Sequence, residues 1–276
     1  MQGDPMTALP SPATPFLKWV GGKRQLLPEI RKHVPEKFGR YVEPFLGGGA
    51  VFFDLSPVGG TRLGDANGEL VGTYRAVRDD VEEVIKTLHA HARLHSAKHY
   101  YHVRGLGSDL TGPALAARMI YLNKTGFNGL YRVNRSGGFN VPIGSYKNPT
   151  VCDEANLRAC ARALQGVDLV QADFTFVAEP ARSGDFVYFD PPYVPVGGTS
   201  DFTSFTAAGF GIADQERLVD FAGRLKASGV HVLLSNADLP AVRELYRGFE
   251  MRAVQARRNI NSNGGKRGAV GELLIW

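Results

Sequence analysis

The stretch "YVEPFLGGGAVFF", residues 41–53, passes from a short apolar run through three consecutive glycines into a second apolar run with helical character. Strand, glycine turn and helix make one βα unit, the repeating piece of an α/β fold. Working outward, short apolar runs recur, each ending in a turn or an acid. They are "RYVEPF" (40–45), "TRLGDAN" (61–67), "VDLVQADF" (167–174), "GDFVYFDPPY" (184–193), "GVHVLLSNA" (229–237), "FEMRAVQA" (249–256) and "GELLIW" (271–276). Amphipathic stretches separate several of them, such as "DQERLVDFAGRLKA" (214–227), which opens on an Asp that can cap. Near the start, "KRQLLPEIRKH" (23–33) is also helical, with Pro28 demanding a turn-start or a break. This alternation predicts an α/β fold around a mainly parallel sheet. It is broken once, between the second and third strands. The roughly hundred residues there begin helical ("DDVEEVIKTLHAHARL", "PALAARMIYL") and read as an inserted second domain.

Composition is ordinary for a globular chain of 276 residues, with 43% hydrophobic and 21% charged residues. The net charge of +5 favours a polyanionic partner, and its placement is uneven. Residues 76–150 hold ten Lys/Arg against five acids, so the middle third carries the whole excess. Cys152 and Cys160 are the only cysteines. They read as sharing one helix, and they suit a reduced, cytoplasmic protein better than a disulfide scaffold. No apolar run approaches about 18 residues and no charged-then-apolar leader opens the chain, so neither a membrane span nor a signal peptide is expected. Residues 1–14, rich in Pro and small side chains, read as a loose tail.

Three motifs carry chemistry. In "DPPY" (190–193), an apolar run delivers Asp190 to a strand end, where open α/β sheets place their ligands. Pro191 and Pro192 stiffen the segment and remove two amide donors, leaving the Asp190 carboxylate and the Pro191 carbonyl as acceptors beside the flat face of Tyr193. That set suits a planar group bearing an NH2, although Pro-Pro after a strand is also common turn chemistry. The 47–49 glycines offer close backbone approach and the free N–H groups of a helix start. Asp65, at the end of the next strand, suits ribose hydroxyls. A glycine turn with such an acid points to a nucleoside-type cofactor without saying which, and either piece alone is equally an ordinary strand–helix turn. In "FLKWVGGKRQLL" (16–27), "GGK" lacks the other residues of a phosphate loop. Trp19 and Lys23 could instead hold a small zwitterion, or simply begin an amphipathic helix.

Together the motifs resemble the Dam-type DNA adenine-N6 methyltransferases, from about Phe16 to Trp276. The matching pieces are F-L-K-W-x-G-G-K (16–23), V-E-P-F-x-G-x-G (42–49), L-x-D-x-N (63–67), L-N-x-x-G-x-N-G (122–129), F-N-V-P-x-G-x-Y-K-x-P (139–149), D-P-P-Y (190–193), L-x-S-N (233–236) and S-N-G-G (262–265). The resemblance implies a Rossmann-like methyltransferase sheet with helices on both faces, formed by 15–72 and 151–276. It makes 73–150 a mainly helical DNA-recognition insertion with a hairpin. It implies S-adenosylmethionine as methyl donor, with Trp19, Lys23 and the 45–49 turn (Phe45, Gly47, Gly49) at its methionine end and Glu43 among the donor-binding residues. Asp65 would take the ribose, and Asp173 with Phe174 the adenine. Asp190 would be the catalytic acceptor, bordering the donor, and Pro191, Pro192 and Tyr193 would complete the acceptor pocket. The implied reaction is methyl transfer to the N6 of an adenine flipped out of duplex DNA, at GATC or a GAT-containing site. An inactive DNA-binding relative, or an N-methyltransferase of RNA or protein, is the alternative.

The stretch "NKTGFNGLYRVNRSGGFNVPIGSYKNPT" (123–150) contains four basic residues, four aromatics and no acid, which marks a device for an anion rather than a linker. By the resemblance, Phe127 and Asn128, with Gly129 beside them, would enter the duplex next to the flipped adenine. Leu130, Arg132, Pro142 and Tyr146 would read flanking bases, and Lys124, Arg135 and Lys147 would hold phosphates. The Gly pair in "RVNRSGG" stands where the family pattern varies, leaving the contact of the hairpin tip open. Asn263 and Lys266 belong to a basic turn, "RRNINSNGGKRG" (257–268), placed near phosphates. The segment 197–211 after D-P-P-Y reads as a flap over the flipped base. His91, His95 and His99 share a helical face, but with no Cys among them no metal is expected. The protein is expected to act as a monomer.

Overall fold

The computed structural model describes residues 12–107, 109–134, 136–193, 210–257 and 269–276. All seven apolar runs form strands: β1 (Tyr41–Glu43), β2 (Thr61–Asp65), β3 (Asp168–Gln171), β4 (Phe186–Phe189), β5 (His231–Ala237), β6 (Met251–Arg257) and β7 (Ala269–Ile275). They make one sheet in the order β3-β2-β1-β4-β5-β7-β6. The first five are parallel, and β7 runs antiparallel between β5 and β6. The chain winds outward from β1 on one side and from β4 on the other. The crevice between their carboxyl ends is thus the switch point where such sheets bind ligands.

Strand side chains alternate between two cores. Tyr41, Leu63, Phe186 and Tyr188 join the cluster formed with α1 (Leu27–Arg31), α2 (Ala50–Leu55) and α3 (Gly68–Asp79). Val42, Val187, Phe189 and Leu234 join the other, with α8 (Phe174–Ala178), α9 (Ile212–Ala227) and α10 (Pro240–Leu245). Pro28 sits in the first turn of α1, where its missing N–H costs nothing, and a 3-10 turn, Lys23–Gln25, precedes it. Asp214 does cap α9, from the third helical position, by accepting the Gly211 amide at 3.0 Å.

The insertion comprises α4 (Val81–Arg93), α5 (Ala97–Gly105) and α6 (Gly112–Thr125), followed by a 3-10 turn, Phe127–Gly129. An arm then pairs through the bridges Gly126↔Ile143 and Val133↔Phe139, and α7 (Glu154–Ala163) leads back to the sheet. Three details bear on the sequence expectations. The 72/73 boundary falls inside α3, because its apolar face continues unbroken from Leu70 to Val77. Leu88, Tyr100, Ile120 and Phe139 of the insertion join the same cluster as the sheet face, so the two segments share one core. Thr14 belongs to the fold rather than to a loose tail: its amide donates to Asn156 Oδ1 at 2.9 Å, and its carbonyl accepts from Asn156 Nδ2 at 2.9 Å. Residues 1–11 lie outside the described residues. Cys160 is on α7, whereas Cys152 precedes the helix, which Asp153 caps; both are free.

Candidate active site

Asp190 follows the last residue of β4 at the switch point, with 21% of its side chain exposed. Its Oδ1 takes two partners: Lys23 Nζ at 2.8 Å and the Ser235 hydroxyl at 2.9 Å. Ser235, on β5, is 2.9 Å from the Tyr188 hydroxyl, so a buried polar chain stands behind the carboxylate. Lys23 is only 3% exposed, and also reaches the Gly21 carbonyl at 2.6 Å and Glu272 Oε2 at 3.9 Å. Burial alone would lower its ammonium, but Asp190 and Glu272 outweigh that loss and hold Lys23 charged, above its ordinary pKa. The Tyr193 hydroxyl donates to Glu272 Oε2 at 2.7 Å, and the Lys23 ammonium lies 5.0 Å from the Tyr193 ring centre. Behind the prolines, buried Gln215 donates to the Pro192 carbonyl at 3.1 Å and accepts from Asn236 at 3.1 Å. Lys23, expected at a donor carboxylate, is therefore the partner of Asp190. Ser235 was visible within the L-x-S-N match but had no assigned role; Gln215 and Glu272 had no signal at all.

The glycine turn after β1 is pinned by Asp65. Asp65 Oδ2 accepts the Gly47 amide at 3.1 Å, and Oδ1 accepts the Asn67 amide at 2.9 Å. Partial loss of water lifts the Asp65 carboxyl to about 6, against the pull of the Asn67, Gly47 and Ala66 amides. Gly47 has φ +46°, and a Cβ there would stand 2.8 Å from Trp19 Cδ1. Trp19 thus lies against the turn, and glycine is required at Gly47 by that packing. Gly49 caps α2. Glu43 lies beneath, 2% exposed, taking the Tyr41 hydroxyl at 2.8 Å and the Phe52 amide in the first turn of α2. It braces the turn from below. Phe45 stacks on Phe174 at 5.5 Å and meets Phe210 edge-on at 5.6 Å. Asp173 caps α8 through Thr175 and pairs with Arg217 at 3.0 Å. Burial pushes its carboxyl upward, but the Thr175 bonds and Arg217 bring it net below its usual range.

The basic arm is ordered around its own hydrogen bonds. Phe127 is 45% exposed, and Asn128 beside it is also exposed and left-handed at φ +54°, a conformation Asn tolerates. The Phe127 amide donates to the Pro142 carbonyl at 2.9 Å. Arg132 Nε donates to Asn140 Oδ1 at 2.7 Å. Leu130 is half-buried, while Pro142, Tyr146 and Lys147 are exposed. A cation that sequence reasoning missed, Lys18, lies across Gly129, where φ is +63° and a Cβ would meet Lys18 Cδ at 2.5 Å. Its ammonium sits 4.6 Å from the Tyr146 ring centre. The F-L-K-W match held that signal. Lys124, expected on phosphate, is half-buried beside Asp153 in a shallow surface pocket, and burial lowers its pKa. Arg135, Asn263 and Lys266, with 197–209 of the expected flap, lie outside the described residues. The histidines bond one another and Tyr121: His91 Nδ1 is 3.0 Å from His99 Nε2, and His95 Nδ1 is 2.9 Å from the Tyr121 hydroxyl. Among the described residues no group of three or more His, Cys, Asp or Glu is placed to hold a metal ion. Nor is any described helix long and apolar enough to cross a membrane.

A mostly parallel sheet with a glycine turn after β1, an acid closing β2 and Asp-Pro-Pro-Tyr closing β4 is the architecture of a methyltransferase. The chain belongs to the D12 class N6 adenine-specific DNA methyltransferase family, which it matches over residues 19–260. It is 41% identical to a Type II methyltransferase of Lactococcus lactis subsp. cremoris, over 95% of this chain and 94% of that one. It is 40% identical to a Type II methyltransferase of Methanocaldococcus jannaschii, over 95% and 98% of the two chains. A DNA adenine methylase of Vibrio cholerae shares 37% identity over 94% of each. The protein is an adenine-specific DNA methyltransferase, and its substrate is DNA rather than RNA or protein.

Proposed function

We propose that the enzyme moves a methyl group from S-adenosylmethionine to the N6 of an adenine turned out of duplex DNA, at GATC or a related GAT-containing site. The observation that carries this reading is Asp190, held at the switch point with Oδ1 occupied by Ser235 and Lys23. Among the described residues Oδ2 is the carboxylate oxygen open to an incoming amino group, with the Pro191 carbonyl proposed as the second acceptor; the Pro192 carbonyl accepts from Gln215. Two acceptors taking both N6 hydrogens let the nitrogen pyramidalise and aim its lone pair at the methyl carbon. With Lys23 charged against it, Asp190 serves as an acceptor and electrostatic partner of the developing cation rather than as a strong base. It is also the nearest base for the proton that the methylated nitrogen sheds. Tyr193 supplies a stacking face for a base that has left the helix, as chemistry on a duplex base requires.

The residues present fit the methyl donor. S-adenosylmethionine, when bound, supplies an electrophilic methyl group on a sulfonium. Asp65 retains lone-pair capacity beyond the Gly47, Ala66 and Asn67 amides it accepts, which suits ribose hydroxyls. The Phe45–Phe174 stack offers an apolar wall for its adenine, and Trp19 borders the turn at its amino-acid end. In the arm, Phe127 and Asn128 occupy the place vacated by the flipped base, Arg132 and Leu130 read its neighbours, and Lys147 holds phosphate.

A panel of duplexes differing only within GATC, incubated with methyl-labelled S-adenosylmethionine, tests the site. The reading expects label on N6 of the GATC adenine and little on single-base variants; equal label on all duplexes would retire the GATC assignment. With 2-aminopurine at the target position, binding should brighten its fluorescence. An unchanged signal would retire base flipping.

A further inference from the structure

Two consecutive residues, Lys18 and Trp19, touch both halves of the machinery. Trp19 lies against the glycine turn at Gly47, and its ring stacks on Tyr131 of the arm at 5.3 Å with 26° between planes. Lys18 covers Gly129 and reaches the Tyr146 hydroxyl at 3.4 Å. The peptide between the two halves is clamped. Buried Asn123 accepts the Lys18 amide at 2.8 Å and donates to the Lys18 carbonyl at 2.8 Å and the Gly129 carbonyl at 3.0 Å. Tyr131 is fixed at its far end, its hydroxyl donating to Glu69 Oε2 at 2.9 Å, while Arg118 holds the other Glu69 oxygen at 3.3 Å. A shift of Trp19 therefore has no slack in which to dissipate: the clamp passes it to Gly129, and the stack passes it to Tyr131, next to Arg132 and Leu130. Packed aromatic contacts of this kind favour discrete arrangements over continuous sliding.

We propose that Tyr131 is a positioning residue that couples the methyl-donor site to the DNA-reading arm through its stack on Trp19. The inference rests on the reading that the 45–49 turn holds the donor. Seating a ligand against that turn selects one setting of Trp19, and Tyr131 turns this into one setting of the arm. By linkage the effect runs equally in both directions. Nothing in the chemistry of the transfer requires Tyr131 itself. Its signature is a coupling factor rather than a loss of either binding event.

The test uses the full chain and S-adenosylhomocysteine, the unreactive demethylated form of the donor. Duplex affinity is measured by fluorescence anisotropy with and without it, and its own affinity by calorimetry with and without duplex. Wild type is expected to show the same enhancement, about fivefold or more, in both directions. Tyr131→Leu, which keeps apolar bulk without a ring, should reduce that factor to within about twofold while each separate affinity changes by less than about threefold. Tyr131→Phe, which keeps the ring and loses the Glu69 bond, should retain most of it. If the Leu variant lacks the wild-type circular-dichroism spectrum, Tyr131→Met takes its place. Full coupling in the ring-less variant, or no coupling in wild type with both ligands bound, overturns the inference. Failure of S-adenosylhomocysteine to bind wild type at all would instead overturn the donor-site reading beneath it.

Discussion

Asp190 shares one carboxylate oxygen between a hydroxyl and an ammonium, and that sharing fixes what each neighbour is worth. A hydrogen bond to a charged group contributes about 1.5–3 kcal/mol. Ser235→Ala should therefore lower single-turnover methyl transfer by about ten- to a hundredfold with duplex affinity unchanged. An unchanged rate would make Ser235 mere packing. Glu43 makes a different prediction. Burial lifts its carboxyl from 4.5 to about 8, against the help of the Tyr41 hydroxyl and the Phe52 amide. The folded protein then holds this proton more tightly than the unfolded chain does. Its contribution to stability is full below pH 4.5 and is lost as pH rises through about 8. Glu43→Gln, which cannot ionise, should flatten part of the fall in Tm between mildly acidic and mildly alkaline buffer. A parallel fall in both proteins would show that Glu43 does not titrate in that window.

At the scale of elements, every strand was legible because each is a short apolar run closed by a turn or an acid. The Pro-Pro pair marked a strand end in "GDFVYFDPPY" as plainly as glycines did in "YVEPFLGGGAVFF". What was not legible is contact between elements remote in sequence. Lys23 reads locally as a helix-start cation; only the sheet brings it to Asp190. Gly47 reads as a ligand-facing glycine, but its missing Cβ makes room for Trp19. The expected 72/73 boundary lies within α3, a single helix whose one apolar face packs against both the sheet side and α6. Within the arm, Asn140 accepts from two nitrogens of Arg132, Nε at its side-chain Oδ1 (2.7 Å) and Nη2 at its backbone carbonyl (3.4 Å), and the side-chain bond helps orient the fork. A bidentate Arg–guanine contact is worth about 1–3 kcal/mol of discrimination. Asn140→Ala should relax selectivity at the same base pair as Arg132→Ala, and by less, in competition binding with single-base variants. A uniform loss over all sequences would make Arg132 a phosphate contact instead.

Over the whole molecule, the middle third, which carries the excess positive charge, shares one hydrophobic core with the sheet face behind the switch point. The basic arm is tied to the glycine turn and to α3 by contacts through Trp19, Asn123 and Tyr131. In the proposed reaction the Asp190 carboxylate carries methyl transfer to adenine N6. This is tested by single-turnover labelling of a duplex with one target adenine, wild type against Asp190→Ala, with duplex affinity measured on the same preparations. The variant keeps Glu272 near Lys23, and its fold is checked by thermal melting. Label is expected on adenine N6 with wild type, with a loss on the order of 10³-fold or more in the variant while duplex binding persists. Near-wild-type transfer by Asp190→Ala, or label on any other base, would contradict it.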